Sequence, residues 1–126
     1  MDCIVINRGM NVTKNHRATG SIYEEKIAAF LKQNGFLILE RNYRCKQGEI
    51  DIIARDGRYL VFIEVKFRAT GSTGFSLEAI DHRKAARIRN AARYYLFSHR
   101  LSEETPCRFD AAGIDGETIT YIKNAF

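Results

Sequence analysis

Ile27, Ala28, Phe30 and Leu31 recur at helical spacing behind Ser21 and Tyr23, and the segment stops at Asn34-Gly35, a common helix C-terminal signal. Glu24 and Glu25 are expected in the first turn of this helix, where its dipole favours carboxylates. Phe36-Leu37-Ile38-Leu39 and the polar stretch through Arg44 predict a strand, and Lys46-Gln47-Gly48 a turn. Ile50, Ile52 and Ala54 alternate with Glu49, Asp51 and Ile53 in a second strand, and Asp56-Gly57 signals a hairpin. The returning strand runs from Tyr59 to Lys66. Its stretch from Leu60 to Val65 is apolar except for Glu64, which predicts a central strand covered on both faces.

A glycine-bearing stretch from Ala69 to Ser76 separates this hairpin from a helix that starts behind the N-cap Asp81 and reaches Phe97. On a helical wheel Ala85, Ile88, Ala92, Tyr95 and Leu96 form its apolar side, with Arg83, Lys84 and Arg87 assigned to the opposite side and Arg89 and Arg93 flanking the stripe. A loop with the single proline, Pro106, leads to two last strands, Phe109 to Ile114 and Thr118 to Ile122, around Asp115-Gly116. The order is helix, three strands, helix, two strands. That predicts an α/β sandwich with helices on the faces of a mixed five-stranded sheet.

The chain of 126 residues suits one domain, placed at 18–126, behind a tail from Met1 to Arg17 expected to be mobile. Its 45% hydrophobic and 28% charged residues are ordinary for a globular protein, and no apolar run approaches the length of a membrane span. Cys3, Cys45 and Cys107 offer neither a disulfide framework nor a zinc pattern; the first fifteen residues do not read as a signal peptide, and the cysteines are expected to be reduced thiols of a cytoplasmic protein. The formal net charge of +5 is compatible with a nucleic acid or another anionic partner.

Acids sit where strands should be apolar. Asp51 lies within Glu49-Ile50-Asp51-Ile52-Ile53, and Glu64 and Lys66 within Phe62-Ile63-Glu64-Val65-Lys66. Positions two apart share a strand face, so Glu64 and Lys66 point the same way. The Asp56-Gly57 hairpin makes the two strands antiparallel neighbours, and a small stagger or bulge brings Asp51 near Glu64. Buried charge needs compensation. An internal ion-pair cluster is one solution, with Glu64 on Lys66 and Asp51 on Arg44 or Arg68. A divalent cation, Mg²⁺ or Mn²⁺, is the other: Asp51 and Glu64 would supply carboxylates, Val65 a main-chain carbonyl, and Lys66 would hold or deprotonate a water beside it. That set suits phosphodiester hydrolysis.

Gly48-Glu49-Ile50-Asp51-Ile52-Ile53-Ala54, Leu60-Val61-Phe62-Ile63-Glu64-Val65-Lys66-Phe67-Arg68 and Arg108-Phe109-Asp110 together resemble the YraN family. That family belongs to the restriction-endonuclease-like superfamily with the PD-(D/E)xK motif and is similar to archaeal Holliday junction resolvases. The resemblance runs from about residue 19 to 122 and includes Thr19-Gly20, Gly35-Phe36 and Arg41-Asn42-Tyr43-Arg44. It implies a three-layer sandwich and a metal-dependent nuclease core. Asp51 and Glu64 match the motif acids, Lys66 its lysine, and Glu24 an acid on the first helix that approaches the metal. The chain departs from the family at Tyr23, where a glycine is usual.

Glu49 shares a face with Asp51 by alternation and is expected either to support it or to be a surface carboxylate. Asp110 is expected to pair with an arginine or a backbone donor, and Tyr94-Tyr95 to divide between core and rim. Arg44, Arg68, Lys84, Arg87 and Arg93 are the expected contacts to nucleic-acid phosphates, which would be sequence-independent and salt-sensitive. The expected activity is an endonuclease acting on branched or processed DNA; cutting a junction symmetrically would call for a homodimer. The rival expectations are a DNA-binding protein of this fold that does not cut, and a scaffold for a protein partner.

Overall fold

The computed structural model describes residues 2–7, 19–68, 80–115 and 118–126. In chain order these form β1 (Asp2–Asn7), α1 (Thr19–Gln33), β2 (Leu37–Cys45), β3 (Gly48–Asp56), β4 (Tyr59–Arg68), α2 (His82–Ser98), β5 (Cys107–Asp115) and β6 (Thr118–Lys123). The strands make one sheet in the order β1-β6-β5-β4-β3-β2. Only β4 and β5 run parallel; the other neighbours are antiparallel. The expected three-layer α/β sandwich with a mixed sheet is therefore what forms.

The sheet differs from expectation by one edge strand. Asp2–Asn7, placed by sequence reasoning in the mobile tail, pairs antiparallel with β6. Its Cys3-Ile4-Val5-Ile6 run has the β-branched composition a strand favours. The rest of the expected tail, 8–18, lies outside the described residues, as does 69–79.

Among the described residues each face of the sheet carries one helix. Tyr23, Ile27, Phe30 and Leu31 of α1 pack on Ile52, Ala54, Val61, Ile63, Ala112, Ile114 and Tyr121. Ile88, Ala91, Ala92, Tyr95 and Leu96 of α2 pack on Ile50, Ile53, Leu60 and Phe62 from the other side. Leu60, Val61, Phe62 and Ile63 are all fully buried, as a central strand with two covered faces requires. Asp81 caps α2 as expected, its carboxylate accepting the Lys84 N–H at 2.8 Å.

Two helical expectations need correction. First, α1 begins at Thr19, so its first turn holds no acid. Glu24 and Glu25 sit further along, where Arg41 of β2, at 3.9 and 2.6 Å, compensates them in place of the helix dipole. Second, the buried side of α2 is rotated from the expected stripe: Ala91 is buried and Ala85 only half-buried. Lys84 stands four residues before the buried Ile88, hence on the same face rather than opposite it.

A buried polar network ties β3, β5 and β6 on the α1 side. Asp110 is fully buried and accepts from Arg108 Nε at 2.9 Å, the Tyr121 hydroxyl at 2.5 Å and the Asn124 backbone N–H at 3.0 Å. Arg108 also donates to Asp56 at 2.9 Å. The expected arginine and backbone partners of Asp110 are both present. Burial and the Asp110 charge together push the Tyr121 hydroxyl well above its ordinary pKa.

Candidate metal and phosphate site

The β3–β4 hairpin sets the site. Asp56 pairs with Tyr59 and Ile52 with Ile63, so the turn is Gly57-Arg58, with Gly57 at φ +59°. The next step of this register puts Asp51 directly opposite Glu64, with no stagger needed. The ladder stops at that step. In place of a strand carbonyl, the Asp51 carboxylate accepts the Val65 backbone N–H at 2.8 Å.

An irregularity in the pleat accompanies this ending. Ile53 packs against α2 and Ile52 against α1, as alternation demands, yet Ile50 packs against α2 as well. On the partner strand Arg41 reaches α1, whereas Tyr43 packs with the α2 cluster. Asn42 between them has φ +53°, a left-handed conformation that asparagine tolerates better than most residues. The flip at Asn42, across from Asp51, lets consecutive β3 residues turn toward α2.

Glu64 is 5% exposed and on the α2 face, as its strand neighbours Leu60 and Phe62 are. Its carboxylate forms an ion pair with Lys84 of α2 and lies beside that of Asp51. Burial, first, and the adjacent Glu64 charge, second, push the Asp51 carboxyl up to about 6; the Val65 N–H and Lys84 oppose the rise. Two carboxyl groups thus lie side by side where the ladder ends. They line a cleft of about 340 Å³ together with Gly48, Glu49, Lys84, Arg87 and Ile88.

Gly48 closes the cleft against α2. A Cβ there would lie 3.1 Å from the Arg87 carbonyl oxygen and 3.2 Å from the Arg87 Cβ. The absent side chain is what lets the β2–β3 turn approach the helix and bring the acids under its first turns.

The remaining candidate residues divide. Lys66 is half-buried, two positions beyond Glu64 and on the same strand face. Glu49 lines the cleft but is well exposed and pairs with Arg44 at 3.2 Å, which brings Arg44 to the rim. Arg93 lies in a separate hollow with Leu96, Phe97, Leu101 and Glu103. Glu24 is on α1, against the opposite sheet face, where it contacts Arg41 and does not line the cleft. Tyr23 beside it is buried, filling the α1–sheet core where a glycine would leave space. The side chain of Arg68 is outside the described residues. Tyr95 is buried and Tyr94 partly exposed, the expected division. Among the described residues no group of three or more His, Cys, Asp or Glu converges, so the cleft offers two carboxylates and not a closed protein cage. Sequence reasoning missed the Lys84–Glu64 link, although the four-residue spacing from Lys84 to Ile88 carried the signal.

The pattern of the family described as Uncharacterised protein family UPF0102 matches residues 23–114, a span that holds both acids, Lys66, Lys84 and the Arg108–Asp110 pair. The chain belongs to the UPF0102 family. A UPF0102 protein of Lachnoclostridium phytofermentans is 51% identical over 112 residues, covering 89% of this chain and 95% of that protein. UPF0102 proteins of Moorella thermoacetica and Legionella pneumophila (strain Corby) are 46% and 41% identical over 82% and 85% of this chain, and 85% and 92% of their own lengths. The family resemblance drawn from the GEID and EVK segments is borne out. Among the described residues no helix is long and apolar enough to cross a membrane.

Proposed function

We propose that this UPF0102 protein is a metal-dependent endonuclease that hydrolyses DNA phosphodiester bonds, holding its substrate by backbone contacts and selecting branched or processed DNA by shape. The observation that carries this reading is the meeting of Asp51 and Glu64 where the β3–β4 ladder ends, in a cleft whose opposite wall is the basic start of α2. Two adjacent, largely buried carboxylates suit a hard divalent cation, Mg²⁺ or Mn²⁺. Asp51, Glu64 and the Val65 carbonyl would hold it. Bound there, it would supply charge neutralisation at the phosphate and a lowered pKa for water.

The chain's own side chains account for the remaining roles. Asp51 and Glu64 would hold the ion, and their place at the end of the ladder would set where the reacting phosphate sits. Lys66, on the same face as Glu64, orients the attacking water and accepts or relays its proton. Lys84 and Arg87 face the substrate backbone from α2, and Arg44 extends that basic surface at the rim. None of these contacts distinguishes one base from another, so recognition rests on where phosphates lie in space. Symmetric cutting of a four-way junction would bring two copies together about a two-fold axis. The free thiols Cys45 and Cys107 suit the reducing cytoplasm as the compartment.

Incubating the protein with linear, flapped, single-stranded and four-way DNA, with Mg²⁺ or Mn²⁺, tests the reading. Cleavage of at least one substrate by the wild type, lost in Asp51→Asn and in Lys66→Ala while Lys66→Ala still binds DNA, is the expected result. Binding without cleavage under every metal condition would leave a DNA-binding protein and remove the enzyme.

A further inference from the structure

We infer that Lys84 is an exchangeable cation of this cleft: it neutralises Glu64 while no metal is bound, yields that carboxylate to an entering divalent ion, and is released to a substrate phosphate. The inference rests on the reading of Asp51 and Glu64 as metal ligands and adds a coupling between metal and substrate.

The charges compel some such arrangement. Glu64 is almost fully buried, and an uncompensated buried carboxylate is costly. Among the described residues Lys84 is its ion-pair partner, and Asp51 adds a second carboxyl beside it. A divalent ion held by both acids would replace the ammonium as their countercharge and repel it at short range. Lys84 is free to respond. Its side chain is 46% exposed and lines the cleft on a long, flexible stem. Its backbone is not free, because the Asp81 cap holds the Lys84 N–H at 2.8 Å and Ile88 is anchored in the core one turn later. The motion is therefore confined to the side chain.

Arg87 provides an internal contrast. It lines the same cleft, but its main chain abuts Gly48, and among the described residues no ion pair joins it to either acid. Lys84 is the charge that must change partners, and Arg87 the one that need not. Exchange makes metal and phosphate binding mutually reinforcing, because each favours the conformer in which Lys84 has left Glu64.

Titration calorimetry with Mn²⁺ on the wild type, Lys84→Met, Arg87→Met and Asp51→Asn, without nucleic acid, tests this. Lys84→Met is expected to bind Mn²⁺ about tenfold more tightly than the wild type, and Arg87→Met less than about threefold more tightly. Thermal melts in EDTA establish that each variant is folded; if Lys84→Met is not, Lys84→Gln, which keeps a neutral donor for Glu64, is measured in its place. In the wild type, Ca²⁺ should also tighten binding of a duplex oligonucleotide, and Lys84→Met should lose most of that gain. Equal gains in Mn²⁺ affinity for the Lys84 and Arg87 variants would reveal only the general charge of the cleft and overturn the exchange. Absence of Mn²⁺ binding by the wild type would instead overturn the metal reading beneath it.

Discussion

Replacing Asp51 by Asn should make the metal-free protein more stable near neutral pH while abolishing its response to metal. The Asp51 carboxyl is raised from its ordinary 3.8 to about 6, chiefly by burial and then by Glu64. A displacement of that size corresponds to about 3 kcal/mol. Because the folded pKa lies above the unfolded one, the contribution is fully present below about pH 4 and is lost as pH rises through about 6. Asn cannot ionise, yet its carbonyl oxygen can still accept the Val65 N–H and its amide can donate to Glu64. In EDTA at pH 7.5 the variant should gain about 1–3 kcal/mol over the wild type, shrinking toward zero at pH 4. Urea unfolding at the two pH values measures this, and the difference between the proteins cancels the other carboxylates. Saturating Mg²⁺ should then stabilise the wild type and leave the variant unchanged. A variant destabilised equally at both pH values would refute the argument: Asp51 would then be a satisfied structural acid.

Other consequences are testable. Gly48→Ala would press a methyl group on the Arg87 backbone, and it should cost about 1–3 kcal/mol in urea unfolding and weaken Mn²⁺ binding as α2 is displaced from the acids. Arg108→Met would leave Asp110 charged and buried, with an expected loss of about 3–5 kcal/mol by the same assay; a near-neutral result would mean that the network adds nothing net. Arg87→Ala should lower the slope of log affinity for DNA against log salt by about one, whereas Arg93→Ala, in its separate hollow, should leave it unchanged. Equal effects at Arg87 and Arg93 would indicate a diffuse cationic surface.

The fold was legible where local patterns and long-range packing agree. The α1 stop at Asn34-Gly35, the Asp81 cap and the apolar Leu60–Ile63 run of β4 are each dictated by a few neighbouring residues. The acids of the site were legible for the opposite reason, because Asp51 and Glu64 break a hydrophobic pattern. What escaped was geometry that no local rule encodes. The Asn42 flip lies on β2, remote in sequence from the residues whose direction it changes. The Lys84–Glu64 pair joins two elements on either side of residues 69–79. Glu24 was misplaced because the helix begins at Thr19, earlier than its apolar periodicity does. Arg41, invisible to a helical wheel, is the partner that Glu24 and Glu25 find.

The carboxylate of Asp51 is also the stopper of a zipper. Its bond to the Val65 N–H ends the β3–β4 pairing and satisfies a main-chain donor that would otherwise face the cleft bare. A relative of this protein that bound no metal would still need an acceptor at that spot. Persistence of an acid or amide there would testify to folding, whatever else the residue does. Glu64, paired with Lys84 and, among the described residues, accepting no backbone N–H, has no such second employment, so its loss would leave the strand pairing untouched.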